Sequence, residues 1–259
     1  MWTPGPFMTR ALIIAAAAAS LGLGTPQGIS SANAAPVTYH WTGCYVGVQA
    51  GLIGGNSRQT YGGTRAGVPD TFLPVGFDLT GNYSVTGTLD GGQVGCNFQM
   101  TDNWVWGIEA DGAWADAKGI AGPTAGAVSA GANPLRRFHT EQDSLVTARA
   151  RLGFAADRWL WYVTAGGAWT GLNVNNEAVL VSPLGARAPT HLDRFGWTVG
   201  AGSEYALTNH ISLKGELLYA DFGTFHYDDT PADGCIQCYS ADVSLSEFIA
   251  RVGLNFRFH

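Results

Sequence analysis

The feature that most constrains this chain is a two-residue rhythm of side chains, set in stretches too short and too glycine-rich for membrane helices. In residues 43–52 the even positions Cys44, Val46, Val48, Ala50 and Leu52 are apolar, while Gly43, Tyr45, Gly47, Gln49 and Gly51 are small or polar. Successive side chains of a strand point to opposite faces, so this period marks a strand with one apolar and one polar face. Downstream of residue 34, the most hydrophobic uncharged stretch, 159–172, runs for 14 residues and contains three glycines. A helix needs about 20 apolar residues to cross a bilayer, so this part of the chain cannot cross as a helix.

Two-faced segments recur at 42–53, 84–100, 104–115, 141–156, 159–172, 193–207, 211–224 and 244–258. Each is longer than the roughly 9–11 residues that span a bilayer as a tilted strand. Three connections are turn-like: Thr101-Asp102-Asn103, Ala156-Asp157-Arg158 and Thr208-Asn209-His210. The other four, near 54–83, 116–140, 173–192 and 225–243, are long. Short and long connections alternate strictly, which predicts an all-β, eight-stranded antiparallel up-and-down barrel with short periplasmic turns and long extracellular loops. Asn103-Trp104-Val105-Trp106 and Arg158-Trp159-Leu160-Trp161 both open a strand straight after a short turn, a weak internal repeat.

One parity collects Trp104, Trp106, Ile108, Val146, Leu152, Phe154, Trp159, Trp161, Val163, Phe195, Trp197, Val199, Leu213, Leu217 and Phe248 to Phe258 in steps of two, without a charge. The other collects the acids Glu109, Asp111, Glu204, Glu216 and Glu247 and the bases Arg149, Arg151, Arg194, Lys214, Arg251 and Arg257, with Gln93, Asn97 and Asn255. A soluble sandwich would also separate these sets, with the apolar face inward. Tryptophans at strand ends beside the turns, and a charged face of nearly balanced sign suited to mutual pairing, favour a barrel in lipid with a salt-bridged lumen.

The residues resemble the small outer-membrane β-barrel proteins of alphaproteobacteria, grouped with porin-family and opacity-like proteins. The likeness lies in Trp41-Thr42-Gly43-Cys44-Tyr45-Val46-Gly47, Gly91-Gly92-Gln93-Val94-Gly95-Cys96-Asn97, Ala148-Arg149-Ala150-Arg151-Leu152-Gly153, Gly196-Trp197-Thr198-Val199-Gly200-Ala201-Gly202 with Glu204-Tyr205, and Arg251-Val252-Gly253-Leu254-Asn255-Phe256-Arg257-Phe258. It covers nearly all of the chain after residue 34 except the long loops. The resemblance implies a barrel folded by the outer-membrane assembly machinery, which recognises an aromatic last residue; here His259 follows Phe258.

Arg10, the apolar run 11–23 and the small-x-small site Ala32-Asn33-Ala34 mark residues 1–34 as a cleaved export signal, with the barrel domain over 35–259. An oxidising periplasm should pair the four cysteines. Cys44 and Cys96 fall at the periplasmic ends of adjacent strands with equal outward parity, so a cross-strand disulfide is expected. Cys235 and Cys238, in the acidic last loop, could close a small ring; their C-x-x-C spacing also suits a redox or metal site.

Charged residues are only 13% of the chain against a usual roughly 25%, and glycine, with 36 residues, is about twice its usual share. The net charge is −6 and the only lysines are Lys118 and Lys214, which excludes a phosphate-neutralising surface for nucleic acid. No serine pairs with an outward histidine as in lipid-modifying barrel enzymes, so no enzyme and no cofactor are expected. Asp228, Asp229, Asp233 and Asp242 form an acidic loop that either is solvated or binds calcium. The expected protein is a monomeric outer-membrane barrel contacting lipid and lipopolysaccharide, supporting the envelope and displaying loops. The alternatives are a small porin-like diffusion channel and an adhesion or host-recognition protein.

Overall fold

The computed structural model describes residues 39–64, 73–130, 134, 136–178, 190–228 and 239–258; the signal assigned to 1–34 lies outside them. Among the described residues there are eight strands: β1 (Gly43–Thr64), β2 (Asp78–Gln99), β3 (Trp104–Ala121), β4 (Arg136–Ala156), β5 (Trp159–Ala178), β6 (Thr190–Ala206), β7 (Ile211–Asp228) and β8 (Tyr239–Phe258), with one short helix, α1 (Ala125–Ser129), between β3 and β4. Each strand pairs antiparallel with the next. β8 returns to β1 from Cys44↔Phe258 upward, so the sheet closes on itself.

The turn chemistry explains the short connections. Asp157 takes a positive φ of 50°, a conformation that Asp tolerates better than most side chains. Thr208 Oγ1 accepts the Ile211 N–H at 2.9 Å, and Asn103 Nδ2 donates to the Ala155 carbonyl at 2.9 Å. These turns fix the register in which the outward parity becomes continuous from strand to strand. On β3 that apolar face runs from Trp104 to Trp114, on β5 from Trp159 to Trp169, and on β8 from Phe248 to Phe258, with an aromatic at both ends of each. Eleven residues is the length of a tilted bilayer-spanning strand, and the paired aromatics mark the two interfaces. Trp114 and Trp169 complete an extracellular girdle that lay outside the outward residues assigned from sequence.

Every strand runs further than the sequence indicated, and nearly all of the extra length is at the ends facing the long connections. β1 continues to Thr64 instead of residue 53, and β2 starts at Asp78 instead of residue 84. The salt-bridged interior expected from the sequence occupies the membrane-level part of the barrel and does not extend into these upper strand halves. Above the lipid-facing band the inward set is mainly apolar, including Val85, Leu145, Leu172 and Leu245, with Gln59, Tyr83, Thr140 and Tyr227 hydrogen-bonded among them, while Asn56, Arg58, Asp116 and Lys118 point outward. The upper barrel is therefore built like a water-soluble one, with an apolar core inside and polar residues in solvent. Four register shifts, near Arg58, Tyr61, Trp114 and Gln142, and a fifth at Asp221/Thr224 lie at or above the extracellular girdle.

Candidate functional site

The lumen is the candidate site, and it is filled in three successive layers. At the periplasmic mouth the segment preceding β1 turns inward. Trp41 is fully buried with Tyr39 against Val105, Ala155, Leu160, Tyr162 and Ala206. Its indole Nε1 donates to the Asp157 carbonyl at 3.1 Å, and its backbone N–H donates to Gln99 Oε1 at 2.8 Å. Arg257 ties this cap to the layer above: its Nη1 donates to Tyr39 Oη at 2.5 Å and its guanidinium lies 4.6 Å from the Trp41 ring. Burial raises the Tyr39 hydroxyl above the ordinary phenol range. Trp41 and Tyr39 share the inward parity of Tyr45, a signal present in the sequence that the strand boundaries concealed.

The second layer is an ion network within the span. Arg149 pairs with Glu109, with Asp111 at 3.0 Å and with Glu216 at 3.0 Å. Arg251 pairs with Asp111 at 2.8 Å and Glu216 at 2.7 Å. Arg151 bridges Glu204 at 3.0 Å and Glu109 at 3.4 Å, and stacks 3.9 Å from the Tyr162 ring. Lys214 Nζ lies 2.9 Å from Glu109 and also donates to Gln93. Arg257 is 3.8 Å from Glu204, which also accepts from Ser212 and Asn255. Tyr45 and Thr147 hydroxyls supply further donors to Glu109 and Asp111. Charges moved out of water require this density of partners. The rings have room because Gly95 and Gly202 face them: a Cβ at Gly95 would sit 2.5 Å from the Tyr45 hydroxyl, and one at Gly202 the same distance from that of Tyr162.

Two residues assigned to the lumen face depart from this network. Glu247 is buried in the barrel, but no cation reaches it among the described residues; it accepts only from Gln142 Nε2, at 3.3 Å. Its register neighbours are Gly55 and Ala220, neither of which is a base. Arg194 lies above the network and is half-buried in the wall between β6 and β7. The third layer is the apolar upper core, which encloses Glu247 between Ile249 and Leu245 of its own strand.

Outside the lumen, Cys44 and Cys96 are directly opposed in the β1–β2 ladder and form a disulfide, with Cα atoms 3.9 Å apart. Cys235 and Cys238 lie outside the described residues, as do Asp229 and Asp233. Asp242 accepts from or pairs with His226 Nδ1 at 2.8 Å.

Residues 14–256 match the family described as the outer membrane protein beta-barrel domain. This chain belongs to that family. It is an alphaproteobacterial-type outer-membrane barrel, similar to the 31 kDa outer-membrane immunogenic protein of Brucella melitensis, with 31% identity over 244 residues covering 88% of this chain and 89% of the relative. The 25 kDa outer-membrane immunogenic protein of Brucella abortus is 27% identical over 190 residues, covering 73% of this chain and 70% of the relative. Among solved structures, the outer membrane protein OprG from Pseudomonas aeruginosa superposes with a TM-score of 0.54 at 13% identity, covering 85% of this chain and 98% of OprG, a likeness of fold alone.

Proposed function

We propose that this outer-membrane barrel is a sealed, non-conducting structural element that stabilises the envelope and holds its four long connections on the cell surface. The observation that carries this reading is the sequence of three seals along one axis: the Tyr39/Trp41 cap, the ion network and the apolar upper core. A diffusion channel needs a continuous water path, and an eight-stranded barrel has an interior just wide enough for side chains to fill it. The test is planar-bilayer conductance of refolded protein beside a variant with trimmed loops. No unitary steps are expected from either, and stable channels from the full-length protein would support the porin-like alternative.

The remaining assignments belong to this reading. The leader 1–34 is removed, giving a mature N-terminus at Ala35, which sequencing of the membrane fraction checks. The final strand ending at Phe258 is the signal for the assembly machinery, lipid and lipopolysaccharide surround a monomer, and no catalytic role is assigned. A surface-recognition reading has one observation in its favour: the relatives are named immunogenic, which fits loops reached by antibodies. Binding of whole-cell antisera to a loop-trimmed strain tests it.

A further inference from the structure

The β6–β7 ladder is the shortest in the barrel among the described residues, ending at Trp197↔Asp221. Above that pair both strands continue, to Thr190 on β6 and to Asp228 on β7, without pairing to each other. β6 stays bonded to β5 and β7 to β8, so the wall has a notch. Its floor is tight: a Cβ on Gly196 would collide with the backbone of Asp221 and Phe222. Above the floor Asp221 Oδ1 accepts the Gly223 N–H at 2.7 Å, and Gly223 takes a φ of 67° that diverts β7. A Cβ on Gly223 would meet nothing within 4 Å.

The floor coincides with the extracellular interface, because Trp197 and Phe195 point outward there and Phe195 is opposite Trp169. Open strand edges cannot lie in hydrocarbon, where each unsatisfied group costs several kcal/mol, so the notch opens at headgroup level. Arg194 occupies it. Its guanidinium lies 4.5 Å from the Phe225 ring, and its Nη2 makes one long contact, 3.4 Å, to the His226 carbonyl. Its Nε, though enclosed, has no acceptor. Unlike the cations of the lumen network, Arg194 has no carboxylate in ion-pair range among the described residues. The nearby acids are engaged elsewhere: Asp221 with Gly223 and Tyr219, and Asp193 with His191.

We propose that this notch is a headgroup site for an anionic lipid of the outer leaflet, with an oxyanion on Arg194 and the acyl chain running down the outer wall over Trp197 and Val199 of β6 and Leu217 and Tyr219 of β7. An arginine offers several N–H donors to an oxyanion and is partly desolvated here, which strengthens the contact. Below the notch those four outward side chains form an apolar track between the two strands. The proposal rests on the barrel's placement in the outer membrane and is independent of whether the lumen conducts.

The test is NMR of the refolded full barrel in neutral phosphatidylcholine bicelles, titrated with hexadecyl phosphate, hexadecanol or inorganic phosphate. Hexadecyl phosphate should give saturable shifts centred on Arg194, Gly223 and Phe225, while hexadecanol and inorganic phosphate leave them unmoved. Arg194→Gln should weaken the site about tenfold, the loss of one charged hydrogen bond, and Arg194→Lys should retain most of it. Dispersed spectra of both variants establish that they fold. Shifts spread evenly round the lipid-facing belt, an unchanged affinity in Arg194→Gln, or equal binding of inorganic phosphate would each overturn the proposal.

Discussion

Glu216 and Glu247 face the same lumen from adjacent strands, yet substitution should affect them in opposite ways. Glu216 lies between Arg149 and Arg251 at 3.0 and 2.7 Å, so Glu216→Ala leaves two buried cations short of an anion. A loss of about 3–5 kcal/mol is expected, read as a lower urea midpoint in a fixed detergent. Glu247 has no such partner, and Glu247→Gln keeps its shape while removing the need to desolvate a charge. Its midpoint should be unchanged or higher; a drop as large as that of Glu216→Ala would mean that a base reaches it after all. The cap follows core rules instead: Trp41 is fully buried, and Trp41→Ala should cost about 3–5 kcal/mol. That the charges share one face was readable from parity, because every second residue of a strand points the same way. Which acid lacked a base was not, because that depends on the register between strands distant in sequence.

At the scale of elements, the Cys44–Cys96 bond ties together the first two strands at their periplasmic ends, 52 residues apart in the chain. Closing a loop of that length in the unfolded chain is worth about 2–4 kcal/mol. The double variant Cys44→Ser/Cys96→Ser should therefore unfold at lower urea than the oxidised protein and coincide with the wild type under reductant. The β6–β7 junction should behave differently along its length. Amides of 190–196 are bonded on one side only, so hydrogen exchange should be faster there than at 198–205, where ladders flank β6 on both sides. Equal protection of the two halves would contradict an open notch. The upper strand halves escaped the sequence pattern for a local reason. In β8 the inward residues Ala241, Val243 and Leu245 are apolar, whereas from Phe248 onward the outward ones are. The period persists while its chemistry changes face.

At the scale of the whole barrel, the eight described strands form one closed hydrogen-bonded ring whose lower half is apolar outside and whose upper half is mainly apolar inside. Such a ring resists detergent because opening it exposes two strand edges at once. Unboiled protein should migrate apart from boiled protein on SDS gels, and migration at the same position with and without boiling would count against a closed barrel. The upper half should obey soluble-core energetics although it belongs to a membrane protein. Leu145, fully buried above the lipid band, should cost about 2–5 kcal/mol on substitution by alanine, whereas the lipid-facing Leu217→Ala should cost less because no cavity forms in fluid lipid.

The sequence alone determined the strand count, the antiparallel order, the lipid-facing parity and the residues able to carry lumen charge. All of these follow from side-chain alternation and turn chemistry, which are local properties of the chain. It also pointed to Cys44 and Cys96, because two outward residues at one end of neighbouring strands need only the register to meet. Tertiary structure decided what depends on the ring being closed. Closure set the stagger that gives Arg149 three acids and leaves Glu247 without a base. It drew Trp41 into the mouth, where the Asp157 turn waits with its carbonyl. It also ended the β6–β7 ladder at Asp221, because the Gly223 bulge turns β7 aside at the membrane surface, the level at which the strand edges no longer require a partner in the wall.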